Sequence, residues 1–274
     1  MEKIFVAVDF TDSSRNAANY AANLAGFFGA GLTVFHAYHS PITNFETGYI
    51  PPLTDMKSDA EKELGKFMHD LALSHQGVEM DSCLEMGLAG DILEECATKG
   101  KADLIVMGIA GQNSIVKEHL VGSVAAQIAQ DSKIPVLIVP EHCKYSKIKK
   151  IAFACDFDRH LEENSTLLKV KYFASLFDSE LQILNVMKPK EEISVEKAEV
   201  DAFLESKLES TKHQTYFIYE EKVERGLVEF IEVHKSDMIV TSPKKHNFFH
   251  NLFIESHTKK LLFHSPVPIL TIHE

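Results

Sequence analysis

The chain is written twice, and that feature constrains its fold more than any other. KIFVAVDFTD (Lys3–Asp12) returns as KIAFACDFDR (Lys150–Arg159), 147 residues later. GLTVFHAY (Gly31–Tyr38) returns as ELQILNVM (Glu180–Met187) after 149 residues. ADLIVMG (Ala102–Gly108) matches SDMIVTS (Ser236–Ser242) at 134. IPVLIVP (Ile134–Pro140) matches VPILTIH (Val267–His273) at 133. The four matches keep their order while the offset drifts, so the second copy is shorter in its middle.

The 274 residues therefore divide into two ordinary domains, expected at 1–146 and 147–274. Residues 1–150 hold 13 Lys and Arg against 19 Asp and Glu, and residues 151–274 hold 15 against 21, so each half carries −6. The junction Glu141–Lys150 is polar and Lys-rich, as an exposed connector should be. Apolar residues at 45% and charged residues at 25% are ordinary for a globular protein and argue against disorder.

Several function classes are disfavoured. The net charge of −12 opposes general nucleic-acid binding, which needs a basic surface. Apolar runs such as Leu104–Met107 are far too short to cross a bilayer. The N-terminal stretch lacks the length and cleavage site of a secretory leader. Cys83, Cys96, Cys143 and Cys155 lie apart with no CxxC pair, which argues against a disulfide framework and a Cys-based zinc site and fits a reducing compartment, so a cytoplasmic protein is expected.

Each half alternates strands and helices. Strands are expected at Lys3–Asp9, Leu32–Tyr38, Val78–Met86, Asp103–Gly108 and Pro135–Pro140, then near 149–155, 181–187, 215–221, 237–242 and 268–272. Helices are expected at Ser13–Phe28, near Met56–Ser74, at Gly90–Lys99 and from about Gly122 to Asp131, with Ser13 or Ser14 capping the first. Such alternation, with strands apolar on consecutive residues, predicts two tandem doubly wound α/β domains, each with a parallel five-stranded sheet.

Ligands of open α/β sheets sit beyond the carboxyl ends of the strands. Asp9, the His36–Tyr38 stretch and Gly108 gather there. Gly108 and Gly111 permit tight turns and close backbone approach, and Gly122-Ser123 opens a helix whose free N–H groups favour a phosphate. The Ser123 hydroxyl adds a donor. The stretch fits a phosphate cradle, and glycines at strand and helix ends also serve as plain turns. Neither GxxxxGK[ST] nor GxGxxG occurs. Asp9 either meets a metal carried with phosphates or orders the turn that follows it.

Other constellations weigh less. His246, His250, His257 and His264 lack HExxH context and read as solvated or packing residues ahead of a metal site. His36 and His39 read as strand-end packing residues. The lysines at 144, 147, 149 and 150, and those at 244, 245, 259 and 260, read as solvated surface ahead of an anion or acidic-partner site. Phe248, Phe249 and Phe253 suit a packed helix face better than base stacking. No GxSxG elbow or recognisable catalytic carboxylate pair is present.

With AVDFTDSS (Ala7–Ser14), ADLIVMGIAG (Ala102–Gly111), GSV (Gly122–Val124) and IPVLIVP (Ile134–Pro140), the chain resembles the universal stress protein (UspA-like) family over nearly its whole length, in a tandem two-domain form. The resemblance implies a Rossmann-like fold of the adenine nucleotide alpha hydrolase kind, with the two domains facing one another through their last strands as an internal pseudo-dimer. ATP-binding members carry G-x2-G-x9-G-[ST] after the fourth strand. Here Gly108, Gly111 and Gly122-Ser123 match it with ten intervening residues instead of nine. Adenine and ribose are then expected beside Val8, Asp9, Phe10 and Ala37. The phosphates are expected on the backbone of Met107, Gly108, Gly111, Gly122, Ser123, Val124 and Ala125. ATP, with or without Mg or Mn, is the implied ligand. An unspecified protein partner and a further homodimer stay open.

The second half departs from this pattern. Thr241–Lys260 contains no glycine, and Ser242, Lys245 and Ser256-His257 stand where Gly108, Gly111 and Gly122-Ser123 stand. A Cβ at each turn blocks close approach, and Pro243 stiffens the segment. One nucleotide site per chain is expected, in a non-enzymatic stress-response protein. The alternatives are a nucleotide-free scaffold, or an enzyme of the adenylyl transferase or ATP pyrophosphatase type. The enzyme needs a glycine-serine loop after the first strand, which DFTDSS (Asp9–Ser14) does not supply.

Overall fold

The computed structural model describes residues 1–39, 53–109, 121–155, 157, 165–242 and 265–273, with the backbone alone for 53, 121–123 and 196. The first half runs β1 (Lys3–Ala7), α1 (Asp12–Phe28), β2 (Gly31–Tyr38), α2 (Leu53–Ser74), β3 (Met80–Met86), α3 (Ala89–Lys99), β4 (Leu104–Ile109), α4 (Val121–Asp131) and β5 (Val136–Pro140). The second half runs β6 (Lys150–Ala154), α5 (Thr166–Phe177), β7 (Glu180–Met187), α6 (Val195–Leu208), β8 (His213–Tyr219), α7 (Val223–His234), β9 (Met238–Thr241) and β10 (Ile269–Thr271).

Strand alternation sorts side chains to two faces. Ile4, Val6, Leu104 and Val106 enter one core layer with Ala17, Ala21 and Leu24 of α1 and Leu64 and Phe67 of α2. Phe5, Ile105 and Met107 enter the other with Leu93 and Ala97 of α3 and Ile128 and Ala129 of α4. The second half repeats the division, with α5 and α6 on the first face and α7 on the second. Helices thus cover both faces, as the sequence predicts for parallel strands.

The strand order is β3-β2-β1-β4-β5-β10-β9-β6-β7-β8 in one ten-stranded sheet. Each set of five is parallel, and the sets meet at an antiparallel pairing of β5 with β10. The last strands do join the halves, but edge to edge rather than face to face. Each strand's unpaired N–H and C=O groups are satisfied by the other, which removes two exposed edges. Leu137 pairs directly with Leu270, its own counterpart in the repeat, so the pseudo-two-fold passes between them. Phe28 of α1 likewise touches its counterpart Phe177 of α5, with ring centroids 5.2 Å apart.

The start of α1 differs from expectation. Thr11, not Ser13 or Ser14, is the N-cap, because the helix begins at Asp12; the Thr11 side chain accepts the Ser14 N–H. Ser14 is freed for another role, with its hydroxyl accepting the Asp9 N–H at 3.3 Å and donating to the Thr11 carbonyl at 3.1 Å. Gly29, at φ 64°, ends the helix in the left-handed region that a Cβ disfavours. Among the described residues, no helix is long and apolar enough to cross a membrane.

Candidate functional site

A cleft of about 150 Å3 opens at the carboxyl edge of the first half's sheet. Ala7, Val8 and Asp9 form its floor beside Phe35 and Ala37 of β2 and Met107 and Gly108 of β4. Ser13 and Ser14 of α1, Ala89 of α3, and Val124 and Ala125 of α4 complete the wall. Three helices therefore begin at one spot. Their first N–H groups have no partner within the helix, and their dipoles place partial positive charge there. No side chain caps the start of α3.

Gly108 is obligatory for this geometry. A Cβ on it would lie 2.4 Å from the Ser13 carbonyl oxygen and 2.6 Å from the Ser13 carbonyl carbon. Both are backbone atoms, which cannot swing aside. The glycine thus lets the first turn of α1 lie directly on the end of β4.

Asp9 is exposed, and its Oδ1 accepts the Thr11 hydroxyl at 2.6 Å and the Thr11 N–H at 3.2 Å. One carboxylate oxygen is thus committed to ordering the turn. Phe10 follows at φ 62°. Its ring is not part of the cleft wall, and it packs on His36 at 4.4 Å and Phe67 at 5.6 Å. His36 contacts the Val8 carbonyl through Nδ1 at 2.8 Å. A carbonyl only accepts, so Nδ1 carries the proton, and the strand-end packing role expected for His36 is the one it has.

Of the residues singled out in the sequence, Val8, Asp9, Ala37, Met107, Gly108, Val124 and Ala125 stand together in this wall. Gly122 and Ser123 lie in the first turn of α4. Gly111 lies outside the described residues. Phe35, Ala89, Ser13 and Ser14 are wall residues that the sequence did not single out as ligand-binding. For Ala89 the usable signal was the Gly87-Leu88-Ala89-Gly90 stretch, which leads from β3 into the first turn of α3 and must lie at the same edge.

The second half builds the corresponding edge differently. Asn185 replaces His36 and donates from Nδ2 to the Cys155 carbonyl at 3.0 Å, the same bond with a different donor. Val186, Val223 and Ser242 stand for Ala37, Ala89 and Gly108, so each position gains volume. Lys197 of α6 reaches over the end of β7, donating to Asn185 Oδ1 at 3.1 Å and pairing with Glu191 at 2.8 Å. Among the described residues, these side chains stand over that edge. Lys244, Lys245, Lys259, Lys260, the phenylalanines beside them and His246, His250, His257 and His264 lie outside the described residues.

A broader hollow of about 840 Å3 lies at the opposite, amino edge of the second half, lined by Lys147, Lys149, Lys150, Lys171 and Lys212. Lys150 donates to the carbonyl of His234 that ends α7, at 3.1 Å, and Lys171 to that of Lys207 in the last turn of α6. Lys212 pairs with Glu180 at 2.7 Å. Two of these cations complement the negative ends of helices and a third has a carboxylate partner, which accounts for three of the five without a ligand.

The model of the Universal stress protein family matches residues 1–140 and again 144–273. A universal stress protein of Methanocaldococcus jannaschii is 30% identical over 140 residues, half of this chain and 81% of that protein. One from Bacillus subtilis is 32% identical over 146 residues, again half of this chain and 97% of that protein. Among solved structures, a universal stress protein from Archaeoglobus fulgidus covers 99% of this chain and 96% of its own, at a TM-score of 0.73 and 16% identity, a likeness of fold. With the family's pattern matched in both halves of a doubly wound sheet, the chain belongs to the universal stress protein family, as a tandem of two such domains.

Proposed function

We propose that the first half binds ATP in the cleft between Val8 and Ala125, and that the chain is a nucleotide-responsive regulator in a stress response rather than a catalyst. The observation that carries this reading is the meeting of three helix N-termini with a close-packed glycine strand end, in a half that keeps the position clear. Helix N-termini offer N–H donors and a favourable dipole to phosphate. Val8, Ala37 and Met107 offer an apolar seat to a purine. Asp9 is the carboxylate among the described wall residues, and it is the group to meet Mg or Mn carried in with the phosphates.

A second reading, a scaffold without nucleotide, has one observation in its favour. The cleft volume is below the roughly 300–1,000 Å3 usual for ligand pockets. The two readings separate in one experiment. The purified chain is denatured, and the released small molecules are identified and counted by mass spectrometry; a stripped sample is then scanned for a thermal shift with ATP. The ATP reading expects nucleotide near one per chain, or a shift in the stripped protein that Gly122→Trp removes. Neither retained nucleotide nor any shift at millimolar ATP favours the scaffold.

A further inference from the structure

We propose that Cys83, Glu85 and Cys96 form a zinc-class metal site between β3 and α3. The sequence argued against a cysteine site because these residues lack the spacing of a known motif. The fold supplies what the spacing does not. Cys83 and Glu85 are two apart on strand β3 and so project to the same face. Cys96 comes down onto that face from the last turns of α3, which Leu93 and Ala97, both fully buried, pin to the sheet. One ligand atom from each of the three residues lies within 4.8 Å of the other two.

The donor set selects the ion. Two sulfurs and one carboxylate suit a borderline-soft divalent cation in tetrahedral coordination, and zinc foremost among them. With Zn–S near 2.3 Å, two thiolates on one zinc stand about 3.8 Å apart. The cluster closes around such an ion by small side-chain movements. Glu85 is exposed and the two cysteines are half-buried, so the site has an entry path, and its fourth position falls to water.

Burial, the partner thiol and Glu85 together push the Cys96 thiol up to about 11, and burial foremost raises Cys83. Three groups that would each be anionic repel one another, and a cation relieves the repulsion. Lys99, the near cation, is already paired with Glu95 at 2.6 Å. Binding is a balanced exchange in which both thiols give up a proton: one Zn2+ enters and two H+ leave to solvent. It therefore strengthens as pH rises. The bound ion ties α3 to the edge strand β3.

The test uses the full chain, reduced and stripped with chelator, titrated with Co2+ as the probe and then with Zn2+. The proposal expects one Co2+ per chain with a thiolate-to-cobalt charge-transfer band, bleached by Zn2+. Cys83→Ser and Cys96→Ser lose the band, Cys143→Ser keeps it, and Glu85→Gln binds at least about tenfold more weakly. Absence of the band at saturating Co2+, or a band unchanged in Cys83→Ser and Cys96→Ser, overturns it. The unsubstituted chain gives an independent readout. Zn2+ should shield Cys83 and Cys96, and not Cys143, from alkylation mapped by mass spectrometry. Equal labelling of Cys83 and Cys96 with and without Zn2+ overturns the site.

Discussion

The two halves share a fold and a charge but have diverged at one edge of the sheet. In the first, Ala37, Ala89 and Gly108 keep side chains out of the space above the strand ends. In the second, Val186, Val223 and Ser242 occupy those positions, and Lys197, Glu191 and Asn185 bridge over the strand end. The strand-end hydrogen bond persists, as His36 to Val8 in one half and Asn185 to Cys155 in the other. Structural bonds survive duplication because each half still has to fold. Among the described residues the first half keeps this space open, which is why the proposed nucleotide site is placed there.

The shared part of the comparison should show the largest effect. Leu137→Ala and Leu270→Ala remove counterparts that face each other across the pseudo-two-fold, both 1% exposed. Each should cost about 2–5 kcal/mol in urea unfolding. The double variant should depart from additivity by about 0.5–3 kcal/mol, because the two side chains share one cavity. Clearly unequal single losses would break the claim of equivalence.

The divergent part is tested at the glycine. Gly108→Val drives a side chain into the backbone of α1 and should cost about 1–3 kcal/mol and abolish ATP binding. Ser242→Gly, the reverse change in the other half, should cost less than about 1 kcal/mol and leave ATP binding intact. A smaller effect belongs to the conserved bond. His36→Leu and Asn185→Leu should each lose about 1 kcal/mol, and His36→Asn should recover most of the loss, since an amide donates to the same carbonyl.

The smallest effect is a pH dependence at the joint. His273 follows β10 and bonds through Nε2 to the Ala129 carbonyl of α4 in the other half, at 2.9 Å. Burial, first among the causes, lowers its pKa below the ordinary histidine value. The unfolded chain then binds the proton more readily than the folded one, so stability rises with pH through this window. It should be fully present above about pH 6.5 and fall as pH drops toward the lowered value. His273→Gln should flatten that slope in pH-dependent thermal unfolding.

The fold was legible because repetition and strand–helix alternation are properties of the chain itself. All ten strands lie within a few residues of expectation; the carboxyl-edge rule points to Asp9, Ala37 and Gly108, and the family resemblance adds Val8 and Ala125. What escaped the sequence depends on three-dimensional partners. Thr11 took the cap because the helix starts one residue early. The halves met edge to edge because each had an unpaired last strand. Cys83 and Cys96 met because a helix crosses an edge strand, a juxtaposition that thirteen residues of sequence separation do not encode. The close approach of Gly108 to Ser13 was readable only as a permission and became a requirement in the structure.

The central claim is that one half alone holds nucleotide, and titration calorimetry of the stripped full chain with ATP tests it most directly. The account predicts one site per chain, lost when Ala89→Val brings in the second half's residue and retained when Val223→Ala makes the reverse change. Two equal sites, no binding at all, or a single site untouched by Ala89→Val would contradict it.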